Sequence, residues 1–215
     1  TLLGANMGPT TGVIFTVGSD GKMSTSISGT TVTFDGVLAP LIFVRNDQVN
    51  AIVPYEIGGR FSTNVVVTRD GQSSTVLQQR VVDTSPAIFS LSQNGNGQGA
   101  ILNANSSVNG PNNPAVKGTV VQIFATGEGA LAPGAATGSF TSNFPPFPKP
   151  IANVAVSIGG APAQIFYAGE APTLVSGVLQ VNAVIPQTVG SGPQTVLLTI
   201  GANQNITQTI TVQVQ

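Results

Sequence analysis

Gln48-Val49-Asn50-Ala51-Ile52-Val53-Pro54 and Gln180-Val181-Asn182-Ala183-Val184-Ile185-Pro186 are one phrase written twice. Each is a short β-branched run that a proline closes, which suits a strand and not a helix. The flanks repeat as well. Upstream, Val32-Thr33-Phe34-Asp35-Gly36-Val37-Leu38-Ala39-Pro40-Leu41-Ile42-Phe43 answers to Val156-Ser157-Ile158-Gly159-Gly160-Ala161-Pro162-Ala163-Gln164-Ile165-Phe166-Tyr167. Downstream, Val65-Val66-Val67-Thr68 answers to Val196-Leu197-Leu198-Thr199. The order is strand, glycine turn, strand, strand ending in proline, strand. One unit of this kind occurs twice, the second copy carrying an insertion near Gly169 to Ser176.

Other segments fit the same pattern. Gly12-Val13-Ile14-Phe15-Thr16-Val17, Val120-Val121-Gln122-Ile123-Phe124 and Ile210-Thr211-Val212-Gln213-Val214 read as strands, the last alternating strictly between apolar and polar. Asp20-Gly21 and Asp70-Gly71 read as hairpin turns, because both residue types tolerate positive φ. The chain is therefore all-β, two tandem sandwich modules. Residues 1–84 form the first, 85–116 a packed connector rich in Ser, Asn, Gly and Pro, and 117–215 the second. Aligning the modules matches Thr1-Leu2-Leu3-Gly4-Ala5-Asn6-Met7-Gly8 with Gln122-Ile123-Phe124-Ala125-Thr126-Gly127-Glu128-Gly129. The second module has further strand ahead of this point, from Gly118 through Val121. The expectation is that the opening strand of the first module is incomplete.

Composition narrows the function. Charged residues make up 7% of the chain, against about 25% in an average soluble domain. Polarity is carried by hydroxyl and amide side chains. With seven basic and eight acidic residues the formal net charge is −1, so copies repel one another little. The basic residues are scattered, which argues against a nucleic-acid partner. No apolar run reaches the length of a membrane-spanning helix. Histidine and cysteine are both absent, so Ser-His and Cys-His nucleophile systems and Cys or His metal sites cannot be built. The eight acids are dispersed, and Asp20, Asp35 and Asp70 sit in glycine turns. The reading is a non-enzyme with no cofactor and no metal. Asn94-Gly95-Asn96-Gly97-Gln98-Gly99 lacks the helix and basic residue of a phosphate cradle and reads as a turn. Asn105-Ser106-Ser107 and Asn205-Ile206-Thr207 match glycosylation triplets by coincidence.

Six pieces carry a family resemblance. They are Gly4-Ala5-Asn6-Met7-Gly8-Pro9, Val49-Asn50-Ala51-Ile52-Val53-Pro54-Tyr55-Glu56, Ser85-Pro86-Ala87-Ile88-Phe89, Gly97-Gln98-Gly99-Ala100-Ile101-Leu102-Asn103, Ala125-Thr126-Gly127-Glu128-Gly129 and Tyr167-Ala168-Gly169. In this order they resemble an uncharacterised C-terminal domain family of exported acidobacterial (Solibacter-type) proteins. The half-repeats are similar to the IPT/TIG class of immunoglobulin-like modules. The resemblance implies export to the cell surface or beyond, an immunoglobulin-like sandwich for each module, and no catalytic residues to transfer.

These features point to a structural subunit of an extracellular filament or surface assembly, whose partner is another copy of itself. An incomplete sandwich leaves backbone groups on an open edge, and a strand from a second copy satisfies them by β-augmentation. The candidate interface residues are Thr1, Leu2 and Leu3 on the acceptor side, with Ile206, Ile210, Val212 and Val214 as a candidate donor strand that equally suits the final strand of its own module. The Phe- and Pro-rich segment 140–150 has two readings: a loop folded over its own module with the rings buried, which is the favoured one, or a partner patch of Phe140, Phe144 and Phe147. The alternative is a non-catalytic module that binds polysaccharide or another surface.

Overall fold

Asp35 and Gly36 both take left-handed backbone, at φ 48° and 83°, and so do their counterparts Gly159 and Gly160 at 56° and 79°. Two successive positive φ values make the tight reversal whose twist matches the flanking strands. Each turn closes a hairpin in the same register: Phe34 faces Val37 in one, Ile158 faces Ala161 in the other. The computed structural model describes residues 1–215, and strands dominate it throughout.

The chain divides into two compact units, Thr1–Asp83 with Ala135–Ser142, and Thr84–Gly134 with Asn143–Gln215. In the first unit one sheet runs in the order Leu2–Leu3, Gln48–Ala51, Leu41–Arg45, Val13–Ile14. The other runs Leu77–Arg80, Ser62–Arg69, Thr30–Phe34, Ser26–Ile27. Inward residues of both sheets, among them Leu41, Val44 and Val49 from one and Val32, Phe34 and Val65 from the other, form one buried cluster. That is the packing of a β-sandwich.

The second unit repeats the plan on a larger scale. One sheet has Ala87–Ile88, Val120–Thr126, Leu179–Val184 and Ile165–Glu170 in order. The other has Gly97–Gln98, Ile210–Val214, Gly192–Ile200, Val154–Ile158 and Ala161–Ala163. The sequence repeat is exact in register even at its irregularities. A bulge falls between Leu41 and Phe43 against Ala51 and Asn50, and again between Ile165 and Tyr167 against Ala183 and Asn182. The extra residue at Ile42 or Phe166 turns the rest of the strand to the other face.

Residues 85–116, expected as a separate connector, belong to the second unit. Ala87–Ile88 and Ile101–Leu102 pair with Val120–Thr126, and Gly97–Gln98 pairs in parallel with Ile210–Val214. Ile88 and Ile101 are buried in its core. The reason is physical: their apolar side chains and backbone groups complete sheet edges that would otherwise stand open. Residues 135–142 count with the first unit, where Gly138 accepts a bond from the Met23 N–H and Thr137 Oγ1 accepts one from the Tyr55 N–H.

Two glycines separate conformational from steric need. At Gly36 a Cβ would meet nothing, whereas at Gly127, with φ 81°, it would overlap the Ser85 carbonyl oxygen. Gly36→Ala is expected to cost about 1 kcal/mol, the strain of left-handed backbone alone. Gly127→Ala is expected to cost about 3 kcal/mol or more, because Ser85 and Pro86 must also move. Urea unfolding of both variants at one pH checks the order.

Candidate functional site

Thr119, Val120 and Val121 show what the opening strand of such a unit does. Val120 pairs with Val184 and Val121 with Ala183, extending the pairing of Ile123 with Val181. Just before them, the Gly118 N–H donates to the Ile185 carbonyl at 2.8 Å, and the Ile185 N–H donates to the Thr119 carbonyl at 2.9 Å. Ala115 reaches the opposite sheet, making a parallel bridge to Val214 with N–H···O bonds of 2.8 Å on either side. The segment thus lies along the seam and bonds to both sheets. Val121 and Ile185 are fully buried beneath it.

The first unit has this arrangement only in part. Leu2 pairs with Val49 and Leu3 with Gln48, so Leu2 stands where Ile123 stands in the second unit. Val53, the counterpart of Ile185, is 53% exposed. Leu77, which faces Val65 as Ile210 follows in register beside Val196, is 50% exposed where Ile210 is fully buried. Between these residues lies a groove of about 270 Å³, lined by Leu2, Phe34, Val53, Val65, Leu77 and others. No Asp, Glu, Lys or Arg side chain lines it.

The sequence-derived site residues divide accordingly. Thr1 is exposed, and Leu2 and Leu3 pair with Val49 and Gln48; Leu3 is exposed and Leu2 half-buried against the core. Of the two readings of the last strand, the closing strand of its own module is the one the fold shows. Ile210, Val212 and Val214 are buried, and their strand is held by Gly192–Ile200 on one side and by Gly97–Gln98 and Ala115 on the other. Strict alternation fitted that strand to an interior position, so these three residues drop out as interface candidates. Ile206 alone is exposed, in the turn that precedes the strand.

The Phe- and Pro-rich segment does not present one patch. Phe140 packs on Phe15 with ring centroids 6.4 Å apart in the first unit, and Phe147 meets Tyr167 edge-on at 6.0 Å in the second. Each ring is taken up by its own unit, which satisfies the preference of aromatic rings for tilted contact. Phe144 remains exposed. Of the two glycosylation triplets, Asn205 is buried with its Oδ1 accepting the Leu198 N–H.

Turn chemistry accounts for Asp35: its Oδ1 accepts the Asn64 N–H and its Oδ2 the Arg60 guanidinium. The Asn64 bond first, then Arg60, holds its carboxyl below the usual carboxylate range. Two other acids escaped the sequence reading. Glu128 and Glu170 are both buried in the second unit, and both act on Tyr167. The Glu170 carboxylate accepts bonds from Ser176 Oγ and the Gly177 N–H, and the Tyr167 hydroxyl donates to the Glu170 carbonyl at 2.7 Å. The signal was present in the motifs: Glu128 lies in Ala125–Gly129 and Glu170 directly follows Tyr167-Ala168-Gly169. Burial, then the two carboxylates, pushes the Tyr167 phenol up to about 12.

No known family model matches the chain, and no curated protein matches it. Among solved structures, surface layer protein SbsC, domains 4–9, is similar over 94% of this chain and 24% of that chain, at 16% identity and a TM-score of 0.25. The chain thus spans about a quarter of that structure. No helix is long and apolar enough to cross a membrane.

The raised phenol gives a signed pH dependence. A folded pKa above the unfolded value of 10.0 contributes stability that is whole below pH 10 and is lost as pH rises through about 12. Tyr167→Phe is expected to lose about 1 kcal/mol at neutral pH with the hydroxyl bond. Across the same alkaline range its urea midpoint should fall less steeply than that of the parent chain.

Proposed function

We propose that this chain is a non-enzymatic structural subunit of an extracellular filament or cell-surface layer, and that copies join through β-edge contacts. One observation carries the reading. Charged residues make up only 7% of the chain and its polarity is carried by hydroxyl and amide side chains, so little charge keeps the sheet edges of neighbouring copies apart.

The rest of the chain supports it. A net charge of −1 leaves little electrostatic barrier between copies. A contact between two different surfaces of the chain would be head-to-tail, and such a contact propagates unless the rotation closes. The motif resemblance to exported Solibacter-type domains, and to IPT/TIG-like modules, supports a place outside the cell. Without His and Cys, a catalytic reading would rest on dispersed carboxylates, and one of the two that are buried, Glu170, accepts bonds from Ser176 and Gly177.

The alternative, a non-catalytic module binding polysaccharide or a surface, has one feature in its favour: Phe61 and Phe144 are exposed rings, at 94% and 73%. Stacking on sugars would use such rings, and a glycan array hit lost in Phe61→Ala or Phe144→Ala would favour it.

Sedimentation velocity and electron microscopy of purified chain test the main reading. Particles are expected to grow in size as concentration rises, reaching extended polymers. Monodisperse monomers at every concentration would sink it.

A further inference from the structure

The two Asn-x-Ser/Thr triplets, a coincidence by residue order alone, meet different fates in the fold. Asn105-Ser106-Ser107 forms the tip of a hairpin in the second unit, between Ile101–Leu102 and the Val108 that bridges back to Leu102. The Asn103 N–H donates to the Ser107 carbonyl and the Ser106 N–H to the Asn103 carbonyl, each at 2.8 Å. Ser106 takes left-handed backbone at φ 63°. This turn leaves Asn105 exposed at the tip, with Ser107 half-buried beside it.

Hydrogen bonds orient the Asn105 side chain. Its Oδ1 accepts the Ser107 N–H at 3.1 Å and the Ser107 hydroxyl at 2.5 Å. The Ser107 oxygen in turn accepts from Asn113 Nδ2 at 2.7 Å, and the same nitrogen donates to the Val108 carbonyl. A hydroxyl carries one proton, so while Asn113 donates to it Ser107 has its own to give to Asn105. Two donors on the oxygen settle which end of the amide is which. The nitrogen is the end that faces away from these bonds. Asn205 is the opposite case. It is 1% exposed, its Oδ1 accepts the Leu198 N–H at 2.8 Å, and its Nδ2 is buried. Any group joined to that nitrogen would have to part the turn from Gly192–Ile200.

We propose that Asn105 is an acceptor site for an N-linked sugar on the folded chain and that Asn205 is not. In the transfer, Asn105 Nδ2 bonds to the anomeric carbon of a diphosphate-linked sugar as the bond from that carbon to the diphosphate oxygen breaks. The diphosphate leaves with the electron pair, and the amide gives up one proton to the transferase. A sugar here adds bulk and hydroxyls to a surface loop and leaves the core untouched. The site goes beyond the structural reading and holds whether or not copies assemble.

The test gives the folded chain, extended by an unstructured Asn-Ala-Thr tag, to a soluble N-glucosyltransferase with UDP-glucose, and maps hexose by mass spectrometry. Hexose is expected on the tag and on Asn105, with none on Asn205. After trypsin digestion the peptide that holds Asn205 is expected to accept hexose too, since burial no longer protects it. Asn105→Gln is expected to lose the hexose of the chain and keep that of the tag. A modified tag beside an unmodified Asn105 overturns the inference, and so does hexose on Asn205 of the folded chain. Asn205 still bare in the peptide would overturn the half of the inference that rests on burial.

Discussion

A strand along the seam of a β-sandwich must bond to both sheets, and the second unit is held closed by one that does. Ala115 bridges to Val214 in one sheet, and Val120 and Val121 continue into the other opposite Val184 and Ala183. Beneath that strand Ile185 and Ile210 are fully buried. The same positions in the first unit, Val53 and Leu77, are half open to water.

The conserved bulge explains how one scaffold yields two different environments. It sets Phe43 and Tyr167 at equivalent positions opposite Asn50 and Asn182. In the first unit Phe43 lies so close to Gly12 that a Cβ there would overlap its ring, and Arg45 lies over it with 6.0 Å to the ring centroid. In the second unit the added hydroxyl of Tyr167 reaches the Glu170 carbonyl, beside two buried carboxylates. The polar groups of the second unit serve internal closure: Thr84 Oγ1 donates to the Ile200 carbonyl, and Asn109 joins Asn103 and Gln213.

Much of the architecture was legible because its causes are local. Alternation in Ile210–Val214, the glycine turns at Asp35-Gly36 and Gly159-Gly160, and the repeated Gln-Val-Asn-Ala phrases all act over a few residues. They predicted strands, reversals and even equivalent registers. Alternation marks a half-buried strand without saying which chain buries it, so both readings of Ile210–Val214 stood open until the fold placed it in its own unit. Likewise the Phe- and Pro-rich segment had two readings, and Phe140 and Phe147 found partners in their own units, more than a hundred and about twenty residues away, in Phe15 and Tyr167.

By itself, then, the sequence determined an all-β chain with one unit repeated, its turns, its strand faces, and its shortage of charge. Only the tertiary structure decided which strands close which edges. It drew residues 85–116 into the second unit, buried Glu128 and Glu170 around Tyr167, and opened a groove beside Val53. The reason is the range of the forces concerned. Side-chain alternation is written residue by residue, whereas a seam joins groups as distant in sequence as Ala115 and Val214, and only folding shows whether such a partner is there.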